Sequence, residues 1–172
     1  TSNHYTILID SFPSWKKFPK RSKSLICSTS YYTAKFFGDI VYLAIPFDKA
    51  KISICPDEDF WTSFEETLGE YNLNEFNRIL CRFLLKQKSD TMEKEKRNLI
   101  EDIQNSSKFD LDQFGDQFNY KPKTSDPLKY VEKLLDPKKN NFRIFQNFNF
   151  LKIDQDLETG DFSNKECWTN GP

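Results

Sequence analysis

Histidine and glycine are scarce in this chain: its 172 residues include one His, His4, and five Gly. A lone histidine argues against a histidine-based zinc site and against Ser-His-Asp catalysis, because both need an imidazole at the reacting centre. So few glycines argue against a glycine-rich phosphate-binding loop, which needs an unusually free backbone. The sequence therefore predicts no bound metal and no chemistry of the phosphate-loop type.

Long apolar runs and paired cysteine motifs are missing as well. No stretch approaches the ~20 apolar residues that cross a bilayer, and no signal peptide is visible. The four cysteines stand far apart in the sequence and form no CxxC motif; they are Cys27, Cys55, Cys81 and Cys167. Three of them lie in apolar runs, where cysteine behaves as a small hydrophobic residue. We interpret them as reduced core thiols of an intracellular, cytoplasmic protein with no membrane partner.

Charge of one sign is not in excess, since 25 basic residues face 26 acidic ones. The whole chain therefore has no strong electrostatic attraction to nucleic acid or to an anionic membrane. Aromatic residues are abundant, with 17 Phe, 7 Tyr and 3 Trp, and they must form much of the core. The length predicts a single domain over residues 1–172. The missing initial Met and the end at Gly171-Pro172 suggest a fragment that is cut after its last strand.

Strand-like and helix-like patterns occur in blocks along the chain. Short runs of β-branched, aromatic or apolar residues predict strands at residues 25–27, 40–45, 50–54, 142–148, 150–153 and 165–169. Apolar spacing and capping residues predict helices at residues 32–37, 76–84, 90–104 and 126–135. The order favours an α+β fold, with small mixed or antiparallel sheets and a central helical segment, over a parallel α/β fold.

Three segments contain residues that could carry chemistry. A basic aromatic patch runs from Trp15 to Arg21. The run Ser28-Thr29-Ser30 follows directly after an apolar strand candidate. Glu166 lies in a short apolar strand candidate after a polar loop.

The segments ICSTSYYTAKFF and FSNKECWTNGP resemble two motifs of the ADP-ribosyltransferase family of the Arg–Ser-Thr-Ser–Glu, toxin-like type. In that family a strand carrying Ser-Thr-Ser precedes a helix, and a later strand carries the catalytic Glu. The resemblance implies an ADP-ribosyltransferase-like fold and NAD as the substrate. It also implies cleavage of the nicotinamide–ribose bond and transfer of ADP-ribose to an unknown acceptor, more plausibly a protein than a nucleic acid. Such a protein would act in its own cytoplasm or be delivered into that of a host.

The resemblance implies a role for each matching residue. Glu166 would stabilise the positive charge that develops on the ribose as the bond to nicotinamide breaks. Ser28 would orient that carboxylate, and Arg21 would grip the NAD phosphates with its planar guanidinium. Asn164 stands where the family has Gln or Glu, the position that helps to select or activate the acceptor. The other residues expected to contact NAD are Thr29, Ser30, Tyr32 and Phe37.

Two features depart from the family pattern. Arg21 precedes Ser28 by only seven residues, whereas the family's Arg usually lies on its own strand well upstream. Asn164 can hydrogen-bond an acceptor but cannot serve as a base. NAD binding or hydrolysis is therefore better supported by the sequence than transfer.

Other interpretations of the same residues stay open. The serines also fit a strand end followed by a helix cap, Glu166 and Arg21 also fit solvated positions, and the aromatics also fit a core. The whole chain also fits a catalytically inactive binding or structural module, such as a virion-associated component. A third interpretation is a nucleic-acid-binding domain that stacks bases on the aromatic and basic patch near Trp15.

Overall fold

The computed structural model of the protein describes residues 4–85, 99–105, 109–145 and 162–169. Within these ranges the helices are α1 (His4–Ser11), α2 (Tyr31–Lys35), α3 (Glu65–Leu68), α4 (Leu73–Leu85), α5 (Leu99–Asn105), α6 (Leu111–Gly115) and α7 (Pro127–Leu134). Single turns of 3-10 helix cover Pro13–Trp15 and Arg21–Lys23. The strands are β1 (Leu25–Ser28), β2 (Ile52–Ile54), β3 (Arg143–Phe145) and β4 (Glu166–Thr169).

The four strands form one antiparallel sheet in the order β1-β4-β2-β3. β4, close to the end of the chain, therefore lies between two strands from its first third. Helices and a small antiparallel sheet together confirm the predicted α+β class. β1 is an edge strand in this sheet, so one of its sides is open within the described part of the chain.

One face of the sheet packs on an aromatic core. Trp168 of β4 is 1% exposed and its ring lies near those of Trp15, Phe60 and Phe142. The indole N–H of Trp168 donates to the Pro19 carbonyl at 2.9 Å, and that of Trp15 donates to the Leu135 carbonyl at 2.8 Å. Both buried polar groups are therefore satisfied, as burial requires. These contacts fix the position of β4 against the core.

The two amphipathic helices predicted in the middle of the chain are confirmed. Phe76 and Leu80 of α4 are fully buried. Asn72 caps that helix by accepting from the backbone N–H groups of Asn74 and Glu75, at 2.9 and 3.0 Å. In α7, Asp126 is the N-cap and Pro127 the first helical residue, as the sequence indicates.

The predicted strand at residues 40–45 is wrong. The segment has no regular structure and is mostly exposed, with Tyr42 at 83% and Leu43 at 87%. High β-propensity reflects packing on a half-buried pleated surface, and these residues have no such surface to cover.

Other predictions hold in part. The strand predicted over 50–54 is shorter, since β2 spans Ile52–Ile54. Of the helix predicted over 90–104, the described part is α5, whose Ile103 is fully buried although the sequence suggested a surface helix. The short helix α6 was not predicted at all. The strand predicted over 150–153 and the end of that predicted over 142–148 lie outside the described residues.

Candidate functional site

Glu166 opens β4 and lies on the same face of the sheet as Trp168, because alternate strand residues share a face. Its Oε1 accepts hydrogen bonds from Arg21 Nη2 at 2.7 Å and from Arg21 Nε at 3.2 Å. Its Oε2 accepts a third from the backbone N–H of Phe60 at 3.1 Å. The Arg21 and Glu166 side chains are only 13% and 12% exposed. The carboxylate is thus held in one orientation and largely shielded from water.

Arg21 is fixed through its backbone as well as its side chain. The two carboxylate oxygens of Asp10 in α1 accept from the backbone N–H groups of Arg21 and Ser22, at 2.9 and 3.0 Å. These are free donors at the start of a 3-10 helix, so Asp10 stabilises the turn that presents Arg21. The guanidinium also lies over the Phe60 ring, 4.5 Å from its centroid. Arg21 therefore reaches Glu166 in a single defined pose.

Ser28 is the residue directly across from Glu166 in the β1–β4 pair. One residue further along, the Thr29 N–H donates to the Lys165 carbonyl at 2.9 Å, so Thr29 and Lys165 are a hydrogen-bonded pair. Pairs alternate along an antiparallel ladder, which makes Ser28 and Glu166 a non-hydrogen-bonded pair, the type with the closer side chains. The Ser28 hydroxyl accepts from the Ser30 N–H at 3.1 Å. A hydrogen bond from Ser28 that orients Glu166 stays a prediction.

Thr29 and Ser30 make structural bonds. The Thr29 hydroxyl donates to the Phe162 carbonyl at 2.5 Å and accepts from the Lys165 N–H at 2.8 Å, which ties the end of β1 to the loop before β4. Ser30 is the N-cap of α2 and accepts from the Thr33 N–H at 3.3 Å. The strand-end and helix-cap interpretation of the motif therefore holds for these two residues. Their contact with NAD stays a prediction.

Asn164 joins the α2 region to an acidic turn. Its backbone is in the left-handed region, with φ of 50°, which asparagine tolerates better than most residues. Its Oδ1 accepts from the Thr33 hydroxyl, and its Nδ2 donates to Glu58 Oε2 at 2.6 Å. The side chain is exposed and lies two residues before Glu166. Its amide is therefore beside the site, although already engaged by two neighbours.

The aromatic residues after the serines are exposed and do not belong to the core. Tyr32 is 79% exposed, Phe36 89% and Phe37 85%. Tyr31, at 60%, stands edge-on to Tyr32 with the ring centroids 5.8 Å apart. Tyr31 and Tyr32 lie on α2, and Phe36 and Phe37 directly follow it. A binding role for Tyr32 and Phe37 stays a prediction, and both are accessible for one.

The basic aromatic patch separates into a buried and an exposed part. Trp15 is 4% exposed, and Phe18 packs against it with the centroids 5.1 Å apart. Lys16, Lys17 and Lys20 are exposed. Because Trp15 belongs to the core, it is not available to stack on a base, and what remains on the surface is a cluster of lysines.

Two residues of the site escaped sequence reasoning. Asp10 follows the apolar run at residues 5–9 and Phe60 is one of 17 Phe, so nothing in the sequence distinguishes either residue. Phe60 directly follows the acidic run Asp57-Glu58-Asp59. In the structure the Asp57 carbonyl accepts from the Glu166 N–H at 3.2 Å, so this turn packs against the start of β4. The contact between this turn and β4 follows from the pairing of β2 with β4, which the sequence does not show.

The surroundings of Glu166 include a buried thiol. The Cys55 N–H donates to the Glu166 carbonyl at 2.9 Å, and Cys55 is 2% exposed. Burial raises the pKa of the Cys55 thiol well above its usual value, and the charge of Glu166 raises it further. Cys55 is therefore a neutral thiol beside the carboxylate, which suits a core residue.

Within the described ranges, no cluster of three or more His, Cys, Asp or Glu side chains could hold a metal ion. Among the same residues, no helix has the length and apolar character needed to cross a membrane. Comparisons of the chain with protein-family models, with curated proteins and with solved structures find no match. The function must therefore be argued from the geometry of Arg21, Ser28 and Glu166.

Proposed function

We propose that this protein is an NAD-dependent, ADP-ribosyltransferase-like protein that cleaves the nicotinamide–ribose bond and transfers ADP-ribose to an acceptor. The supporting observation is that Ser28 and Glu166, from the two segments that resemble the family, lie together with Arg21, the expected phosphate-binding residue. Glu166 is bonded to Arg21, 145 residues away in sequence, and is paired across the sheet with Ser28. Distant residues of a motif have no reason to meet if each is an independent surface residue.

The proposed chemistry uses Glu166 as a fixed negative charge beside the ribose. The bond between the ribose C1′ and the nicotinamide nitrogen breaks, nicotinamide leaves as a neutral molecule, and positive charge spreads over C1′ and the ring oxygen. A nearby carboxylate stabilises that charge. The acceptor nucleophile, or water, then bonds to C1′ and loses a proton.

Arg21 acts in this proposal first as a positioning residue for Glu166. Two of its guanidinium nitrogens donate to the carboxylate, and its ring contact with Phe60 fixes its plane. A preorganised charge stabilises a transition state better than a mobile one, because no reorganisation is needed during the reaction. The grip on the NAD phosphates, expected from the family resemblance, requires Arg21 to share its donors with Glu166.

The acceptor side of the proposal rests on Asn164. Its amide is exposed at the end of the loop before β4 and binds Glu58. An amide can hydrogen-bond an incoming nucleophile without removing its proton. We therefore propose NAD hydrolysis as the minimal activity and transfer to a protein side chain as the full one.

The test is release of free nicotinamide from NAD by the purified protein. Glu166→Gln and Glu166→Asp should each lower the rate by about 100-fold or more, since a single preorganised electrostatic contact contributes that much to catalysis. The Asp variant keeps the negative charge that Arg21 needs, which separates loss of chemistry from loss of the ion pair. Glu70→Gln, at an exposed position, is the matched control and should keep the full rate.

Thermal melts accompany the assay. Loss of release in a Glu166→Asp variant that still melts cooperatively supports the proposal. No release by the unaltered protein, together with no NAD binding in calorimetry, contradicts it.

A second candidate function is binding without catalysis, and the exposed aromatic residues of the segment 31–47 favour it. The most exposed of them are Tyr32, Phe36, Phe37, Tyr42 and Phe47. Contiguous exposed apolar surface marks ligand or partner contacts in many proteins. NAD binding in calorimetry with no nicotinamide release would favour this second function over the first.

A further inference from the structure

β1 and β4 place two cysteines directly opposite each other. Cys27 and Cys167 lie near opposite ends of the chain, yet they are register partners in the antiparallel pair. Both thiols are free and partly exposed. Because strand residues alternate between faces, this pair lies on the face of the sheet opposite to Ser28 and Glu166.

The backbone geometry suits a disulfide between them. The alternation that makes Ser28 and Glu166 a non-hydrogen-bonded pair makes Cys27 and Cys167 a hydrogen-bonded one, with Cα atoms typically about 5.5 Å apart. Disulfides accept Cα separations of roughly 4.4–6.8 Å. The Cβ atoms of a hydrogen-bonded pair lie toward the wider end of about 4.5–5.5 Å and must approach to about 3.8 Å, so they have to close by roughly 1–2 Å. The resulting strain makes such a bond easier to reduce than a structural disulfide.

The two thiols already interact. A hydrogen bond from Cys167 lowers the pKa of Cys27 to about 7, against the opposing effect of burial. The same bond raises the pKa of Cys167, and burial raises it further. Near pH 7 about half of the Cys27 thiols are therefore ionised, while Cys167 keeps its proton. A thiolate is the reactive form of cysteine, and Cys27 is partly exposed.

We propose that Cys27 and Cys167 form a reversible disulfide across β1 and β4 when the protein meets a peroxide. The Cys27 sulfur attacks one peroxide oxygen, the O–O bond breaks, and Cys27 becomes a sulfenic acid while the departing hydroxide takes up a proton as water. The Cys167 sulfur then attacks the Cys27 sulfur, the S–O bond breaks, and the proton of Cys167 leaves with the hydroxide as a second water. Two thiols are oxidised, peroxide is reduced to water, and a thiol reductant reverses the change.

The other two cysteines are excluded from this pair by their positions. Cys55 is opposite Glu166 in the β2–β4 pair, so its side chain lies on the other face of the sheet, and it is 2% exposed. Cys81 is buried in α4 and donates its S–H to Asn77 Oδ1 at 3.3 Å. The disulfide is therefore specific, and it does not depend on the proposed NAD chemistry.

The sequence makes the test simple, because trypsin puts each cysteine on a separate peptide. Cys27 falls in residues 24–35 and Cys167 in residues 166–172, while Cys55 and Cys81 fall in 52–78 and 79–82. The reduced, folded protein is treated with hydrogen peroxide, alkylated and digested without reductant. Mass spectrometry should find peptides 24–35 and 166–172 joined, and dithiothreitol should release them.

Single cysteine variants test whether Cys27 and Cys167 are the linked residues. Cys27→Ser should abolish the joined peptide, and Cys167→Ser should leave Cys27 as a sulfenic acid that dimedone traps. Cys81→Ser is the matched control and should keep the joined peptide. Iodoacetamide should label Cys27 about tenfold faster than Cys55 or Cys81, with a half-maximal rate near pH 7.

Three results would overturn the proposal. The first is oxidation of Cys27 to the sulfinic acid with no joined peptide in the unaltered protein. The second is a joined peptide that contains Cys55 or Cys81. The third is a Cys27–Cys167 link that appears only when the protein is unfolded in urea. None of these results requires a variant to fold, and each can occur whether or not nicotinamide is released.

Discussion

The ion pair between Arg21 and Glu166 raises the question of why charges lie in so sheltered a place. Replacing a buried ion pair by well-packed apolar residues is often neutral or stabilising, because removing two charges from water costs as much as their attraction returns. Such a pair is therefore a poor device for stability alone. It fits a site where a charge of fixed orientation is used, as in electrostatic stabilisation of a transition state.

We expect strong coupling between the two residues in unfolding experiments. Arg21→Met leaves the Glu166 carboxylate with only the Phe60 N–H, and it should lower the free energy of unfolding by about 3 kcal/mol. Glu166→Gln should cost about 1–3 kcal/mol, since it leaves the guanidinium partly unpaired. The double variant should lose clearly less free energy of unfolding than the two single variants together, with a coupling energy of about 1–3 kcal/mol. Urea unfolding at neutral pH measures all three, and strictly additive losses would show that the pair contributes no net interaction.

The Ser-Thr-Ser run shows what a short motif can and cannot reveal. Its sequence fits both a nucleotide site and a strand end with a helix cap. In the structure Thr29 bonds to the loop before β4, and Ser30 caps α2. Ser28 is directly across from Glu166 in the β1–β4 pair. The three residues differ because strand alternation and the start of the helix give each a different neighbour. No local pattern distinguishes them, since the neighbour of Ser28 comes from the far end of the chain.

At the scale of elements, helix α7 was the most predictable part of the fold, and its N-cap explains why. Asp126 accepts from the backbone N–H groups of Leu128 and Lys129, at 2.9 and 3.1 Å. Asp126→Ala should lower the free energy of unfolding by about 1 kcal/mol, because two helix donors lose their partner. Asp126→Asn should cost little, since asparagine caps as well.

Urea midpoints of the two Asp126 variants separate the cap from its charge. The ion pair of Asp126 with Lys129 is 3.7 Å long and both side chains are exposed, so its loss should matter little. Equal destabilisation by Ala and Asn would mean that the charge, and not the cap, stabilises the helix start.

The longer amphipathic helices α4 and α7 were predicted because their signals are local, whereas α1, α3 and α6 were not predicted. A helix shows its apolar stripe and its caps within its own sequence, as α4 and α7 do. A strand gains stability only from partners elsewhere, so β1, β2 and β4 are real although each has only three or four residues, whereas the longer β-branched run at 40–45 is not a strand. High β-propensity does not make a segment a strand unless another strand lies beside it.

At the scale of the whole molecule, the sequence predicted the class of fold and most residues of the candidate site, but not their arrangement. The order of element types was enough for α+β. The contact between Arg21 and Glu166 depends on β4 inserting between β1 and β2, a pairing of distant segments that single-sequence patterns do not encode. The same pairing brings Cys27 beside Cys167, and their separation in sequence gave no sign of this contact.

The exposed aromatic segment supplies a final prediction, because its rings either contact NAD or serve another purpose. Phe37 is 85% exposed, so Phe37→Ser should change the free energy of unfolding by no more than about 0.5 kcal/mol. If the ring stacks on nicotinamide, its loss should raise the KM for NAD by about tenfold, since stacking on an aromatic ring contributes about 1–3 kcal/mol. Phe47→Ser, at a position 66% exposed, matches the change in polarity and should leave KM unaltered.

Nicotinamide release at varied NAD concentration measures the KM of both variants. An unchanged KM for Phe37→Ser would remove Phe37 from the NAD site and favour contact with a partner as the role of its ring.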